Sequence, residues 1–323
     1  MEMNMTISGA WYKKDLEKDQ RWQKVLSDKE KSALVAALKL VKEKNLSDIQ
    51  QKDFPLNNFA SLFDQLFREL TEGYGIALIK EFPCLTMGLS LDDIRKIFWG
   101  FCIHLGTPIS QDNKGLLLYE IGGPEATKPQ GKDYQGSYGR ALKLHTDPGD
   151  IICMLGIQVA GKGGDSTLSS TTSIYNEISQ THPDLLKILC QPFYSDRVTY
   201  ELPGNKPYSE NPVFAVKNNH IMCSYIRQYI ESAQKKFPEV PRLTEQQIKA
   251  LDLFDHIATR EDVMFNLKLT PGDLILINNN KVLHGRAAYE DEESKSRYRH
   301  LIRIWLRNEG IDSLPHFFGH LNP

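Results

Sequence analysis

Apolar positions recur along this chain with two different periods, and the change comes near residue 73. Between about residues 25 and 72 the spacing is helical. In SDKEKSALVAALKLVKEKN, Leu34, Leu38 and Val41 recur at helical intervals behind Ser27, which with Glu30 three positions on has the pattern of a capping box. NNFASLFDQLFRELTEGYG repeats the period with Leu62, Leu66 and Leu70 and stops at Gly73. GIALIKEFP then reads as a short strand, and SLDDIRKIFWGFCIHLG as a helix capped by Ser90. From about Leu116 onward, short β-type runs separated by Gly, Pro and Asn take over: LLLYEI, DIICMLGIQV, STLSS, NPVFAV, HIMCSYI, DLILIN and RHLIRIWL. Two helical inserts interrupt them. One is SSTTSIYNEISQTHPDLLKIL, with Thr172 or Ser173 near its cap; the other is YIRQYIESAQKKF with TEQQIKALDLFDHIA, expected on the outside. Short, irregularly spaced strands predict an antiparallel barrel or sandwich rather than βαβ units. The fold class is therefore mainly β with flanking helices. Residues 1–72 are expected to form a helical extension packed on a core domain of residues 73–323, which carries the inserts.

Composition narrows the partner more than the fold. Across 323 residues, 39 Lys and Arg face 41 Asp and Glu, and no basic block stands out. Nucleic acid and anionic membrane are thus not expected as partners, and a small-molecule substrate is. The start, MEMNMTISGAWYKKDLEKDQ, lacks an apolar core of signal-peptide length, and the apolar windows are strand-sized. Five cysteines (Cys84, Cys102, Cys153, Cys190 and Cys223) are widely spaced with no C-x-x-C pair. Buried free thiols in a reducing cytoplasm fit this better than a thiolate zinc site. Nothing in the sequence fixes an oligomeric state.

The chemistry starts at LKLHTDPGD. His145 and Asp147, two apart at the end of an apolar run, share one face of a strand. An imidazole and a carboxylate completed by a second histidine make a 2-His-1-carboxylate triad. Alone the pair is weak, because nine histidines in 323 residues make a chance His-x-Asp common. TPGDLILINNNKVLHGRAAYED supplies the second histidine: a Pro271-Gly272 turn, a strand ending at Asn278, a reversal at Asn279 and Asn280, then His284. A partly buried histidine hydrogen-bonded to backbone is the plainer reading of His284. In SRYRHLIRIWL, alternation puts Arg299, Leu301, Arg303 and Trp305 on one face and His300, Ile302, Ile304 and Leu306 on the other. Guanidinium on such a semi-buried face calls for a carboxylate. The competing reading is a solvated face of snorkelling arginines, above all for Arg297 and Arg307. His104 and His256 in helical segments, His182 before Pro183, His220 at a hairpin, His300, and His316 and His320 in the tail are expected to be structural or surface residues.

Taken in order, LHTDPGDI, GKGGDSTLSS, NNNKVLHGRAAYED and RYRHLIRIWL resemble the Fe(II)/2-oxoglutarate-dependent dioxygenases of the taurine dioxygenase and clavaminate synthase-like superfamily. The resemblance runs from about Tyr74 to Leu306. It implies a double-stranded β-helix, or jelly roll, with helices outside. It also implies Fe(II) held by the catalytic residues His145, Asp147 and His284, with 2-oxoglutarate and O2 consumed and succinate and CO2 released. Arg299 matches the arginine that holds the distal carboxylate of 2-oxoglutarate. Arg303 matches a second arginine that assists the cosubstrate or binds substrate. A hydroxyl from the GGDST turn joins them: Ser166, or Thr167 on a one-residue slip. Related halogenases lack the carboxylate that Asp147 supplies, so its presence favours hydroxylation over chlorination, with desaturation, ring closure and epoxidation as relatives of the same chemistry. YEIGGPEATKPQGKDYQGSYGRA, residues 119–141, is a candidate specificity loop. Tyr119, Tyr138 and Arg140 from it, and Tyr225 and Arg227 from CSYIRQYI, are candidate substrate residues, each with an ordinary structural role as the alternative. Two other readings compete: a cupin-like metalloenzyme without 2-oxoglutarate, and a non-catalytic binding protein on the same fold. Arg299 and the GGDST hydroxyls weigh against the first, and an intact ligand set against the second.

Overall fold

Two sheets face one another across an apolar interior. The larger runs β1-β2-β14-β6-β17-β3: β1 (Gln23–Val25), β2 (Ile76–Lys80), β14 (Leu274–Asn278), β6 (Ile151–Gln158), β17 (His300–Arg307) and β3 (Thr107–Ile109), with β4 (Leu118–Gly122) also on β17. The smaller runs β13 (Phe265–Leu267), β8 (Ser166–Ser170), β15 (Val282–Arg286) and β5 (Leu142–His145). Pairing in both is antiparallel apart from β1 on β2, which is parallel. Three two-stranded ribbons complete the β structure: β9 (Pro192–Asp196) with β10 (Tyr208–Pro212), β11 (Phe214–Lys217) with β12 (His220–Cys223), and β7 (Lys162–Gly163) with β16 (Tyr289–Glu290). The computed structural model describes residues 6–123, 139–198, 206–217, 219–292, 294 and 297–311.

Side-chain alternation decides which face of each strand meets which layer. On β17, Leu301 and Trp305 enter the interior, while Ile302, Ile304 and Leu306 pack outward. Their outer neighbours include α2 (Asp28–Val41), α3 (Ala60–Thr71) and α4 (Leu91–Cys102). β6 does the same, with Ile152 and Met154 inside and Ile151, Cys153, Leu155 and Ile157 outside. A sheet covered on both faces explains why its strands read as near-continuous apolar runs. The smaller sheet sends Leu168 and Val282 inward and Leu144 and Leu283 outward. Its outer cover is α5 (Thr171–Thr181), α6 (Pro183–Leu189), α7 (Arg227–Lys236) and α8 (Glu245–Ala258). This is the jelly roll with outer helices that the motifs imply.

The N-terminal segment does more than pack on the core. Trp11, Leu16 of α1 (Lys13–Lys18) and Trp22 belong to the interior cluster, and β1 extends the larger sheet. Burying each of these side chains contributes roughly 2 kcal/mol or more. The segment is stitched across both halves. Ile7 N–H donates to Asn176 Oδ1 (2.9 Å) and Trp11 N–H to Ser173 Oγ (2.9 Å), both on α5, while Trp11 Nε1 donates to the Tyr74 carbonyl (2.8 Å) before β2. A three-residue strand carries too few positions to show a period, which is why β1 escapes the pattern reading.

The expected helix caps form where the sequence puts them: Ser27 and Ser90 accept from the amides of Glu30 and Asp93. The first insert differs. Its cap is Ser170, not Thr172 or Ser173, with Ser170 Oγ accepting from Ser173 N–H. It is also two helices, because Pro183 forces His182 out of helical geometry (φ −141°, ψ 59°) and opens the second. NPVFAV likewise splits, Pro212 ending β10 and Phe214 opening β11. His104 lies just past α4 rather than in it, stacked on Phe63 with centroids 5.4 Å apart. All five cysteines are free, Cys190 exposed and the others buried. Among the described residues no helix is long and apolar enough to cross a membrane.

Candidate active site

β5 and β15 are neighbours in the smaller sheet, and their register sets His284 directly opposite His145. The two rings lie 4.4 Å apart. Asp147 follows β5, and ligand atoms of His145, Asp147 and His284 all fall within 4.8 Å of one another. His145 Nδ1 sits 2.8 Å from the Lys143 carbonyl, so that nitrogen carries the proton and Nε2 is left with a free lone pair. Asp147 is anchored through its backbone. Its N–H donates to Asn279 Oδ1 (2.8 Å), and Asn279 Nδ2 donates to the carbonyls of Asp147 and Gly149. Asn279 stands in the turn between β14 and β15, so the turn that positions His284 also fixes Asp147. Thr146 points away, and its Oγ accepts from Tyr225 N–H (2.8 Å).

Burial pushes the Asp147 carboxyl up, but the Arg303 guanidinium and the two neighbouring histidines outweigh it and hold the group well below the usual carboxylate range. Burial and the neighbouring His145 pull His284 down. The set is a buried carboxylate flanked by two imidazoles. Those donors fit a divalent first-row metal of intermediate softness such as Fe(II), with no thiolate and no lysine among them.

The cations separate into two groups. Arg299, just before β17, is buried; its Nε donates to the Gly164 carbonyl (3.1 Å) and its guanidinium lies 5.7 Å from the Tyr289 ring. Arg286, at the end of β15, stands 4.6 Å from the same ring and donates to the Arg140 carbonyl (2.5 Å). Burial, with Arg286 adding repulsion, lowers Arg299 to about 10. Among the described residues no carboxylate side chain forms an ion pair with Arg299, although a buried guanidinium calls for one. Ser166 is buried opposite Arg286 in the register and shares the inward face with Leu168. Thr167 sits opposite Gly285 on the outward face with Ser169, whose Oγ donates to the Ala258 carbonyl of α8. Of the two hydroxyl candidates, then, Ser166 shares the interior with the arginines.

Arg303 turns to the triad. Its Nη1 donates to Asp147 Oδ2 (2.9 Å) and its Nε to Gln111 Oε1 (2.8 Å), while Trp305 Nε1 also donates to Asp147 Oδ2 (2.8 Å). Tyr119 on β4 lies opposite Arg303 in the register, with the guanidinium 5.5 Å from its ring. Arg140 is exposed, and its carbonyl accepts from Arg286. Tyr138 lies outside the described residues. Tyr225 and Arg227 do not line the site. Tyr225 packs on Phe254 (4.2 Å) and donates to Asp255 (2.5 Å); Arg227 pairs with Glu231, Asp252 and Asp255. Tyr225 lies just ahead of α7 and Arg227 at its start, and both side chains meet carboxylates of α8. Tyr229, two residues on, is the one that packs against the interior cluster. Burial, with Asp147 and Asp196 adding, pushes its phenol up to about 12. His300 pairs with Glu120 (3.0 Å) on the far face of β17.

Residues 42–305 match the family described as Taurine catabolism dioxygenase TauD, TfdA family. Over 321 residues the chain is 29% identical to FR-33289 synthase of Streptomyces rubellomurinus (strain ATCC 31215), covering 96% of this chain and 92% of that one. Asparagine oxygenase, solved with Fe(II), 2S,3S-3-hydroxyasparagine and succinate, superposes with a TM-score of 0.66 at 13% identity, over 88% of this chain and 93% of that one. The non-heme iron oxygenase OrfP, solved with Fe and alpha-ketoglutaric acid, gives 0.61 at 14% identity over the same shares, 88% and 93%. At such identities the likeness is one of fold.

Proposed function

The chain belongs to the TauD/TfdA dioxygenase family, and from that premise we propose that it is an Fe(II)- and 2-oxoglutarate-dependent oxygenase that hydroxylates a C–H bond of a small polar molecule, with release of succinate and CO2. His145, Asp147 and His284 would hold the iron. When bound, iron together with O2 and 2-oxoglutarate supplies the oxidising power that no side chain has. The protein's part is placement. Arg299 takes the distal carboxylate of 2-oxoglutarate, with Ser166 beside it, and the facing sheets keep bulk water from the reacting atoms. Tyr119, whose ring faces Arg303, and Tyr229, packed against the interior cluster, are the side chains we assign to orienting the substrate. Five free cysteines fit a cytoplasmic setting.

The observation that carries this reading is Arg299: a buried guanidinium that, among the described residues, has no carboxylate ion pair, on the same interior as the triad. A metalloenzyme with no keto-acid cosubstrate has no use for it. Asp147 in the ligand set favours hydroxylation over halogenation. The test is anaerobic addition of Fe(II) and 2-oxoglutarate, which is expected to give a visible charge-transfer band, followed by measurement of succinate formed slowly in air without substrate. Absence of both would refute the proposal. With the band established, a screen of small polar metabolites for stimulated succinate release would find the substrate.

A further inference from the structure

The two oxygens of Asp147 are not equivalent. Oδ2 accepts from Trp305 Nε1 (2.8 Å) and from Arg303 Nη1 (2.9 Å). A carboxylate oxygen has two lone pairs in its plane, so two N–H donors occupy it. Oδ1 receives neither donor; its neighbour is His145 Nε2 at 3.5 Å. The imidazoles approach both oxygens, since His284 Nε2 is 3.2 Å from Oδ2, so they do not select between them. The indole and the guanidinium do.

Both donors are themselves held. Trp305 and Arg303 sit two apart on β17, a central strand paired with β6 along most of its length. The Arg303 guanidinium lies 4.5 Å from the Trp305 ring. Its Nε reaches Gln111 Oε1, and Gln111 Nε2 donates back to the carbonyls of Leu117 (3.0 Å) and Arg303 (2.9 Å). Trp305 is 2% exposed, so its ring has no room to swing. On its other side Asp147 is tied to Asn279 through the backbone. The carboxylate is therefore fixed in rotation as well as in place.

We infer that Trp305 is a positioning residue for the metal ligand Asp147: with Arg303 it clamps one carboxylate oxygen and presents the other alone, preserving the open positions that the cosubstrate and O2 require. A carboxylate free to turn would offer both oxygens and take one of those positions. Being neutral, the indole orients the group without changing the charge of the site, a role the guanidinium cannot perform unaccompanied. This inference rests on the oxygenase reading above.

Trp305→Phe keeps an aromatic ring and removes the N–H. Trp305→His keeps an N–H donor on a smaller ring. Met154→Ala, opposite Arg303 on β6 and in the same interior cluster, removes packing without touching Asp147. Gln111→Met unseats Arg303 without contacting the carboxylate. Each is titrated anaerobically with Fe(II), and the charge-transfer band is recorded after 2-oxoglutarate is added. Loss of an outer hydrogen bond to a metal ligand typically weakens metal binding by about 10- to 100-fold. Trp305→Phe is expected to lose about tenfold in Fe(II) affinity and to shift the band, Trp305→His to recover part of both, and Met154→Ala to stay within about twofold of wild type. Gln111→Met should move the band in the same direction, and it decides the matter if the Trp305 variants do not fold. Wild-type affinity and band in Trp305→Phe would overturn the clamp, and so would an equal loss in Met154→Ala, which would reduce Trp305 to packing. A wild-type protein with no band at all would instead defeat the oxygenase reading.

Discussion

Replacing Arg299 by methionine separates what this arginine does to the fold from what it does for the cosubstrate. Burial and the neighbouring Arg286 lower it from 12.5 to about 10, which at ~1.4 kcal/mol per pH unit puts the cost of its charge near 3 kcal/mol in the folded chain at neutral pH. Methionine is of similar length and carries no charge, so that cost disappears. The variant also loses the bond from Nε to the Gly164 carbonyl, worth about 2 kcal/mol for a charged donor. The free protein should therefore be unchanged or more stable by about 1 kcal/mol, a rise of roughly 2 °C in Tm. Binding of 2-oxoglutarate moves the other way. Removing one partner of a buried charge pair costs about 2–5 kcal/mol, so the apparent Kd should rise by about 100-fold. Thermal melting of the free protein and anaerobic titration of the Fe(II) form with 2-oxoglutarate measure the two effects on one preparation. An unchanged 2-oxoglutarate requirement would refute the assignment, and a large rise in Arg303→Met instead would move the anchor there. A free protein weakened by several kcal/mol would show that the charge of Arg299 is already compensated where it sits.

Ser166→Ala should raise the 2-oxoglutarate requirement by about fivefold, the loss of one hydrogen bond of about 1 kcal/mol, while Thr167→Ala should leave it nearly unchanged; equal effects would contradict the inward placement of Ser166. Lys281 donates to the carbonyls of Thr71 and Gly73 at the end of α3, and burial, opposed by Glu69 and Glu72, lowers it from 10.5 to about 8. Between those values the unfolded chain holds a proton that the folded chain releases, so wild type should gain on the order of 2 kcal/mol relative to Lys281→Met as pH rises from 7.5 to about 9.5 in urea denaturation. A flat difference would mean that the amine keeps its proton when buried. His145→Ala should abolish Fe(II) binding and succinate formation with the circular dichroism spectrum intact; surviving metal-dependent turnover would remove His145 from the ligand set.

Much of the site was legible because β17 and β5 alternate cleanly. One face of the run 299–305 carries Arg299, Leu301, Arg303 and Trp305, and the structure keeps Leu301 and Trp305 on the interior side, with Ile302, Ile304 and Leu306 under the helices. Helices with strong caps and a four-residue apolar period, such as those behind Ser27 and Ser90, were equally plain. What stayed hidden depends on tertiary approach. Asn279 looked like a turn residue, and only the fold shows its amide bound to the chain at Asp147, 132 residues earlier. Tyr225 and Arg227 are plausible by type, yet Tyr225, ahead of α7, and Arg227, at its start, both bond to α8, and Tyr229 packs inward instead. Nothing local distinguishes them before the docking face of α7 is known. Trp305 showed its face but not its partner, since an indole N–H has no sequence pattern announcing which carboxylate it meets.

The stitching of residues 7 and 11 to α5 has a consequence for the order of assembly. Their partners on that helix lie 169 and 162 positions later, so these two bonds can form only once α5 has been made. The β1 pairing with β2 and the Trp11 indole bond to Tyr74 need no such delay, so one short segment combines near and very distant attachments. The attachment to α5 is the long-range one of these, and closing the interior around Trp11 depends on it.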